Sequence, residues 1–161
     1  MTNFISADDP YLTERERRLV SIGQTAIAKE DNTALDDCFA DDFVFHGPGG
    51  DATYPELKAF FAAMRAAFSD FRCERLTLVS KGDLIAARTT MSGIFENRFD
   101  ASPIGPVEPT GQPMVLNLIN FFRYNSNERI VEEWVQYDVL GFMNELGVKM
   151  VPDIGRPDTL R

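Results

Sequence analysis

An α+β fold, with a curved antiparallel sheet packed against N-terminal helices, is predicted by three features of this 161-residue chain. Helical periodicity dominates the chain as far as Phe68, β-rich runs fill most of the sequence from Arg72 onward, and those runs pair across short turn signals. Helices first and long strands later segregate the two kinds of element instead of alternating them, the pattern of an α+β architecture.

The first helix is predicted over Thr13 to Lys29. Thr13 and Glu16 have capping-box spacing, and Leu19, Ile22, Gly23, Ala26 and Ile27 fall on one helical face. A short second helix follows, with Thr33 as cap and Leu35, Cys38 and Phe39 inward; Asp42 to His46 then reads as a strand ending at the turn Gly47-Pro48-Gly49-Gly50. Thr53 and Glu56 repeat the capping spacing, Pro55 suits a first turn, and Leu57, Phe60, Phe61, Met64 and Phe68 recur at helical intervals. Arg72 to Ser80 and Leu84 to Phe95 form a hairpin about Lys81-Gly82-Asp83. The stretch from Glu96 to Pro113 carries four prolines and is too irregular for an element, as a lid or an exposed crossover would be. A second hairpin joins Met114 to Tyr124 with Arg129 to Tyr137, and a short helix from Val139 to Leu146 ends at Gly147.

The length fits a single domain, residues 1–161, with a core from about 13 to 147 and a tail over 148–161. Twenty-five acids against 16 bases give a formal charge of −9, which repels phosphate backbones and anionic membranes. A small hydrophobic molecule is the expected partner, with neither nucleic acid nor membrane. No apolar run approaches the roughly 20 residues of a membrane helix, and the acidic, polar N-terminus is unlike a signal peptide, so a cytoplasmic location is expected. Cys38 and Cys73 lack zinc-site spacing and sit in or beside apolar patterns, as structural thiols do.

The succession of DFVFHGPGG, a capped helix, a hairpin with a KGD turn, EPTGQP and finally IVEEWVQYDVLGFMNELG resembles the SnoaL-like polyketide cyclases of the nuclear transport factor 2-like superfamily. The likeness runs from about residue 14 to residue 147, and its most telling parts are Pro109-Thr110-Gly111 and the Trp134, Asp138, Leu140-Gly141, Leu146-Gly147 pattern. It implies a cone of bent sheet and helices around a deep pocket, an intramolecular aldol closure without metal or cofactor, a homodimer, and a general acid/base at the position of Asp138. The chain departs from many relatives in reading Gly93-Ile94-Phe95 and Gln136 where they place histidines.

The candidate residues follow from strand parity. Trp134, Gln136 and Asp138 share one face of the last strand, and Val131, Val135 and Tyr137 share the other. Asp138 could move a proton in an aldol closure, or cap the helix behind it. His46, the sole histidine, could bind or protonate a substrate oxygen, or hydrogen-bond its glycine turn. Gln136 could orient the acid, and Trp134 could wall an apolar pocket or pack in the core. Asn117 and Asn120 face opposite sides, and Asn120 lies among apolar neighbours where its amide needs a partner. Arg88 could counter Asp138 or a substrate anion, or pair with an acid on the sheet surface. Glu132 and Glu133 also face opposite sides, leaving at least one solvated. Elbow serines, phosphate loops and dinucleotide fingerprints are absent. The expected activity is acid/base cyclisation or isomerisation of a hydrophobic carbonyl compound. Hydration, epoxide opening or ketosteroid isomerase-like chemistry would use the same pocket, and a non-catalytic binding module is the alternative outside enzymes.

Overall fold

Thr13 opens the first helix through the reciprocal cap its spacing to Glu16 predicts. Its amide and hydroxyl both donate to Glu16 Oε2 at 2.8 Å in the computed structural model, which describes residues 3–152. Most of the tail predicted over 148–161 lies outside the described residues. Helix α1, Glu14–Ser21, widens into a π-helical segment, Ile22–Ile27. Gly23 sits in that segment, where a Cβ would stand 2.7 Å from the carbonyl oxygen of Cys73. Its missing side chain lets the helix backbone rest directly on a strand. Helix α2, Asn32–Cys38, is capped by Asp31 and not by Thr33: Glu30 at φ 65° turns the chain so that the Asp31 carboxylate meets the amide of Ala34 at 3.1 Å.

Strands β1, Phe39–Gly47, and β2, Gly50–Thr53, lead into α3, Tyr54–Ala67, where the Glu56 carboxylate accepts from the amide and hydroxyl of Thr53 at 2.7 and 2.8 Å. Strand β3, Phe68–Lys81, starts earlier than Arg72 because α3 passes into it without a loop. Strands β4, Leu84–Phe95, β5, Pro113–Tyr124, and β6, Ile130–Tyr137, precede α4, Val139–Glu145.

The six strands form one unclosed sheet in the order β2-β1-β6-β5-β4-β3, antiparallel throughout except where β1 runs parallel to β6. Register shifts in β3 between Ser69 and Arg72, and between Arg75 and Thr77, mark the bends that curve it, and Asp70 takes φ 49° at the first. Alternation along β5 buries Met114, Leu116, Leu118, Asn120, Phe122 and Tyr124 on the inner face and turns Val115, Ile119 and Phe121 outward. The first helix and α3 cover that inner face with Leu19, Ile22, Leu57 and Phe61, completing the α+β cone.

The irregular stretch after β4 is fastened inward. Phe99 bridges Val107, is fully buried, and meets the rings of Phe60, Phe68 and Phe142 at centroid distances of 6.3, 5.6 and 6.3 Å. That anchor holds Ala101 and Pro103 over the open end of the cone. Among the described residues no helix is long and apolar enough to cross a membrane.

Candidate active site

Between the helical cover and the inner sheet face lies a cavity of about 470 Å³, walled by apolar side chains such as Leu19, Phe61, Leu118 and Phe122. Its volume falls in the range of small-molecule sites. Exposed lining residues, Pro48 to Asp51 from the β1–β2 turn with Glu56 and Pro103, mark its mouth.

Deep on the sheet wall the polar residues are concentrated. Among the described residues, the buried polar ones are Arg75, Thr89, Thr90, Asn120 and Glu133, and all but Thr90 belong to one hydrogen-bonded chain. Arg75 Nη1 donates to Thr89 Oγ1 at 2.6 Å, the Thr89 hydroxyl donates to Asn120 Oδ1 at 2.7 Å, and Asn120 Nδ2 donates to Glu133 Oε1 at 2.7 Å. The direction is chemically fixed: a guanidinium only donates, so the Thr89 hydrogen goes on to a carbonyl, which leaves the amide NH₂ for the carboxylate. Burial pushes the Glu133 carboxyl up to about 7, against the pull of the nearby Arg75 charge and the Asn120 hydrogen bond. Among the described residues, the other Glu133 oxygen receives no protein hydrogen bond.

The residues expected at the site are divided between two faces of the sheet. Asn120 belongs to the cavity wall. Trp134 and Gln136 do share a strand face, but it is the outer one, since Glu133, Val135 and Tyr137 are those that line the cavity. Arg88 is likewise outside, in a shallow groove with Asn117, Ile119 and Gln136. Asp138 is exposed and caps α4: its Oδ1 accepts from the amide of Gly141 at 2.8 Å. A Cβ at Gly141 would stand 2.6 Å from Asp138 Oδ2, so the glycine of the Leu140-Gly141 pair makes room for that cap. The carboxylate does not line the cavity.

His46 is also outside the cavity wall, next to its mouth. Its Nδ1 meets Asp51 Oδ1 at 2.8 Å, its Nε2 meets Glu132 Oε2 at 3.1 Å, and its ring stacks on Trp134 at 5.4 Å. The Asp51 bond, then the Glu132 bond, hold the imidazole above its usual pKa. The Arg123 guanidinium also lies over the Trp134 ring, 5.4 Å from its centroid.

The residues that sequence reading missed are Arg75, Thr89 and Glu133. For Glu133 a signal existed. It shares the apolar parity of Val135 and Tyr137, and because Asn120 pairs with Val135 across the sheet, Glu133 is its diagonal neighbour. Arg75 gave none, because the register shift after it breaks the alternation by which its face could be read.

A bent open sheet, a helical cover and an apolar cavity with one titratable wall make up a cone of the nuclear transport factor 2-like kind. The sequence profile of the SnoaL-like polyketide cyclases matches residues 18–146, and the chain belongs to that family. Among solved structures, IdmH of Streptomyces antibioticus, a candidate polyketide cyclase, is 25% identical, with a TM-score of 0.70 over 84% of this chain and 100% of its own. AclR of Streptomyces galilaeus, a candidate hydroxylase, is 20% identical, with a TM-score of 0.71 over 88% of this chain and 86% of its own. A candidate polyketide cyclase from Acidithiobacillus ferrooxidans is 18% identical, with a TM-score of 0.69 over 85% and 96%. At their lower identities the last two show the shared fold. No curated protein matches the chain.

Proposed function

We propose that the cavity performs general acid/base chemistry on a hydrophobic carbonyl compound, cyclising or isomerising it, with Glu133 as the group that moves the proton. The observation that carries this reading is a buried carboxyl on the cavity wall, held by Asn120 through one oxygen and poised at about 7. Such a group is a competent base and, once protonated, a competent acid near neutral pH. In a cyclisation the Glu133 carboxylate takes a proton from the carbon beside a carbonyl. The enolate attacks a second carbonyl, and the protonated carboxyl returns the proton to the new alkoxide. One C–H bond is exchanged for one O–H while the C–C bond forms. Returning the proton to a different carbon is isomerisation. Both halves use the same carboxyl, so the reading calls for no cofactor. Family membership supports ring closure as the chemistry.

The test needs no knowledge of the natural substrate. Flat aromatic ketones and 1,3-dicarbonyls are incubated with the protein in D₂O, and deuterium at the carbon beside the carbonyl is followed by mass spectrometry. Wild type should accelerate exchange, Glu133→Gln should lose roughly 10²–10⁴-fold, and Asp138→Asn should keep the wild-type rate. Exchange that survives Glu133→Gln would remove Glu133 from the mechanism.

The reading extends to a homodimer formed through the outer sheet face, where Val115, Ile119 and Phe121 are about half exposed. Sedimentation of wild type and Ile119→Glu checks it: a monomeric wild type ends that part of the proposal.

A further inference from the structure

Arg75 presents a feature that the proton-transfer reading leaves unused. The side chain is 3% exposed and lines the cavity, yet its Nε–H has no hydrogen-bond partner. Its other contacts are neutral, the Thr89 hydroxyl at 2.6 Å and the face of the Phe122 ring at 5.1 Å. Guanidinium stays protonated in proteins, so this is a permanent charge away from water. A buried cation needs a counter-charge or a full set of acceptors, and a ring face plus one hydroxyl supply little of either.

Among the described residues, no acid that shares the cavity bonds to this cation, and the Glu133 carboxyl feels its charge from beyond contact. Glu56 is occupied in the cap of α3, where it accepts from Thr53 twice, and Asp51 is paired with His46 at the mouth. Glu133 is bonded to Asn120, and its burial favours the neutral carboxyl up to about pH 7. Among the described residues lining the cavity, Arg75 is the only cation.

We infer that Arg75 receives an anionic oxygen of the ligand, so that the cavity selects flat, largely apolar molecules carrying one ionised oxygen, a carboxylate or the enolate of a 1,3-dicarbonyl. This rests on the proposed use of the cavity as a small-molecule site and adds the substrate class. An ionised oxygen would accept a charge-assisted hydrogen bond from the guanidinium where Arg75 lines the cavity, while the apolar body fills the space between the Phe61 and Leu118 walls. The same oxygen, placed on the wall that carries Glu133, brings the adjacent carbon toward the carboxyl that would take its proton. For an enolate the cation would also stabilise the charge as it develops. The preference for anions is then greatest where Glu133 is protonated and adds no repulsion.

The experiment is a calorimetric titration of the whole protein at pH 6 with two probes of one shape, 2-naphthoate and the neutral 2-naphthamide. Wild type should bind the carboxylate at least about tenfold more tightly than the amide. Arg75→Met, which keeps the volume and removes the charge, should lose that preference while still binding the amide, and Arg75→Lys should retain part of it. Carboxylate binding that is absent, or no tighter than amide binding, in wild type overturns the inference without use of any variant. This outcome is separable from failure of Glu133 as the proton-transfer group. Equal binding with Glu133-dependent exchange removes only the anion site, whereas an intact carboxylate preference with exchange that survives Glu133→Gln removes only the acid/base role.

Discussion

Glu133→Gln should make the protein more resistant to unfolding as pH rises, even as it removes proton transfer. The folded state holds the Glu133 carboxyl at about 7, against 4.5 for an ordinary glutamate, so between those values it binds a proton that the unfolded chain has released. Stability then falls as pH rises across that window and is level on either side of it. At about 1.4 kcal/mol per pH unit, the gap amounts to a loss on the order of 3 kcal/mol between pH 4 and pH 8. Gln has nearly the same shape and no charge, so the variant lacks this loss. Urea denaturation read by the fluorescence of Trp134, the sole tryptophan, gives the stability of both proteins at each pH. The stability of the variant minus that of wild type should rise by about that amount toward pH 8, roughly 1 to 2 M in urea midpoint. Any fixed cost of an altered contact with Asn120 displaces the difference curve vertically and leaves its shape alone. Parallel stability curves, or a difference that grows toward acid pH, would refute the claim that Glu133 is buried with a raised pKa. A substitution that stabilises at alkaline pH while abolishing exchange is the mark of a residue kept for chemistry at the expense of the fold.

The single histidine gives a clean NMR titration: His46 should titrate above 6.5, and Asp51→Asn should lower it more than Glu132→Gln does. The stability it adds is complete below 6.5 and is lost as pH rises through the raised value, so wild type should outlast His46→Gln most clearly in acid. Gly23→Ala forces a Cβ to within 2.7 Å of the Cys73 carbonyl oxygen and should cost about 1–3 kcal/mol, read as a lowered thermal midpoint; an unchanged midpoint would mean the helix can shift off β3 freely. Asp138→Ala should cost about 1 kcal/mol through the lost cap of α4 and leave deuterium exchange at the wild-type rate.

The elements were legible because their signals are local. Capping boxes at Thr13 and Thr53 and the apolar spacing from Leu57 to Phe68 each act within a few residues, and the helices start where those signals stand. Asp31 displaced Thr33 as a cap because of the positive φ at Glu30, a backbone choice that composition does not announce. The site was half legible, and the reason is physical. A period of two assigns residues to faces but does not say which face is covered. Trp134 and Gln136 look like pocket residues by type, yet the helices lie over the face of Glu133, Val135 and Tyr137, a choice made by packing between distant parts of the chain. Asp138 kept both readings open in the sequence because one carboxylate at a strand-to-helix junction suits either. The amide of Gly141, 2.8 Å from that carboxylate on the exposed side, puts it at the cap.

The relation between Arg75 and Glu133 carries the last prediction. Burial raises the Glu133 carboxyl, while the Arg75 charge, then the Asn120 hydrogen bond, pull it back, so the value near 7 is a balance of opposed effects. Arg75 acts without a direct bond to the carboxylate, through its charge and through the chain by way of Thr89 and Asn120. Removing the charge in Arg75→Met should therefore move the Glu133 titration upward, and the acidic limb of the deuterium-exchange profile, where exchange rises as the base ionises, with it, because a higher pH is then needed to ionise the carboxyl. A neutral probe ketone makes this visible, since its binding does not depend on the cation. A limb that stays where wild type has it would mean that Arg75 does not tune the carboxyl. A limb displaced to higher pH, with Asn120→Leu displacing it in the same direction, identifies the buried chain as the device that holds an otherwise too basic carboxyl near neutrality. On that account the polar wall stays buried despite its cost, because exposure to water would return Glu133 to an ordinary glutamate and leave little base strength for drawing a proton from carbon.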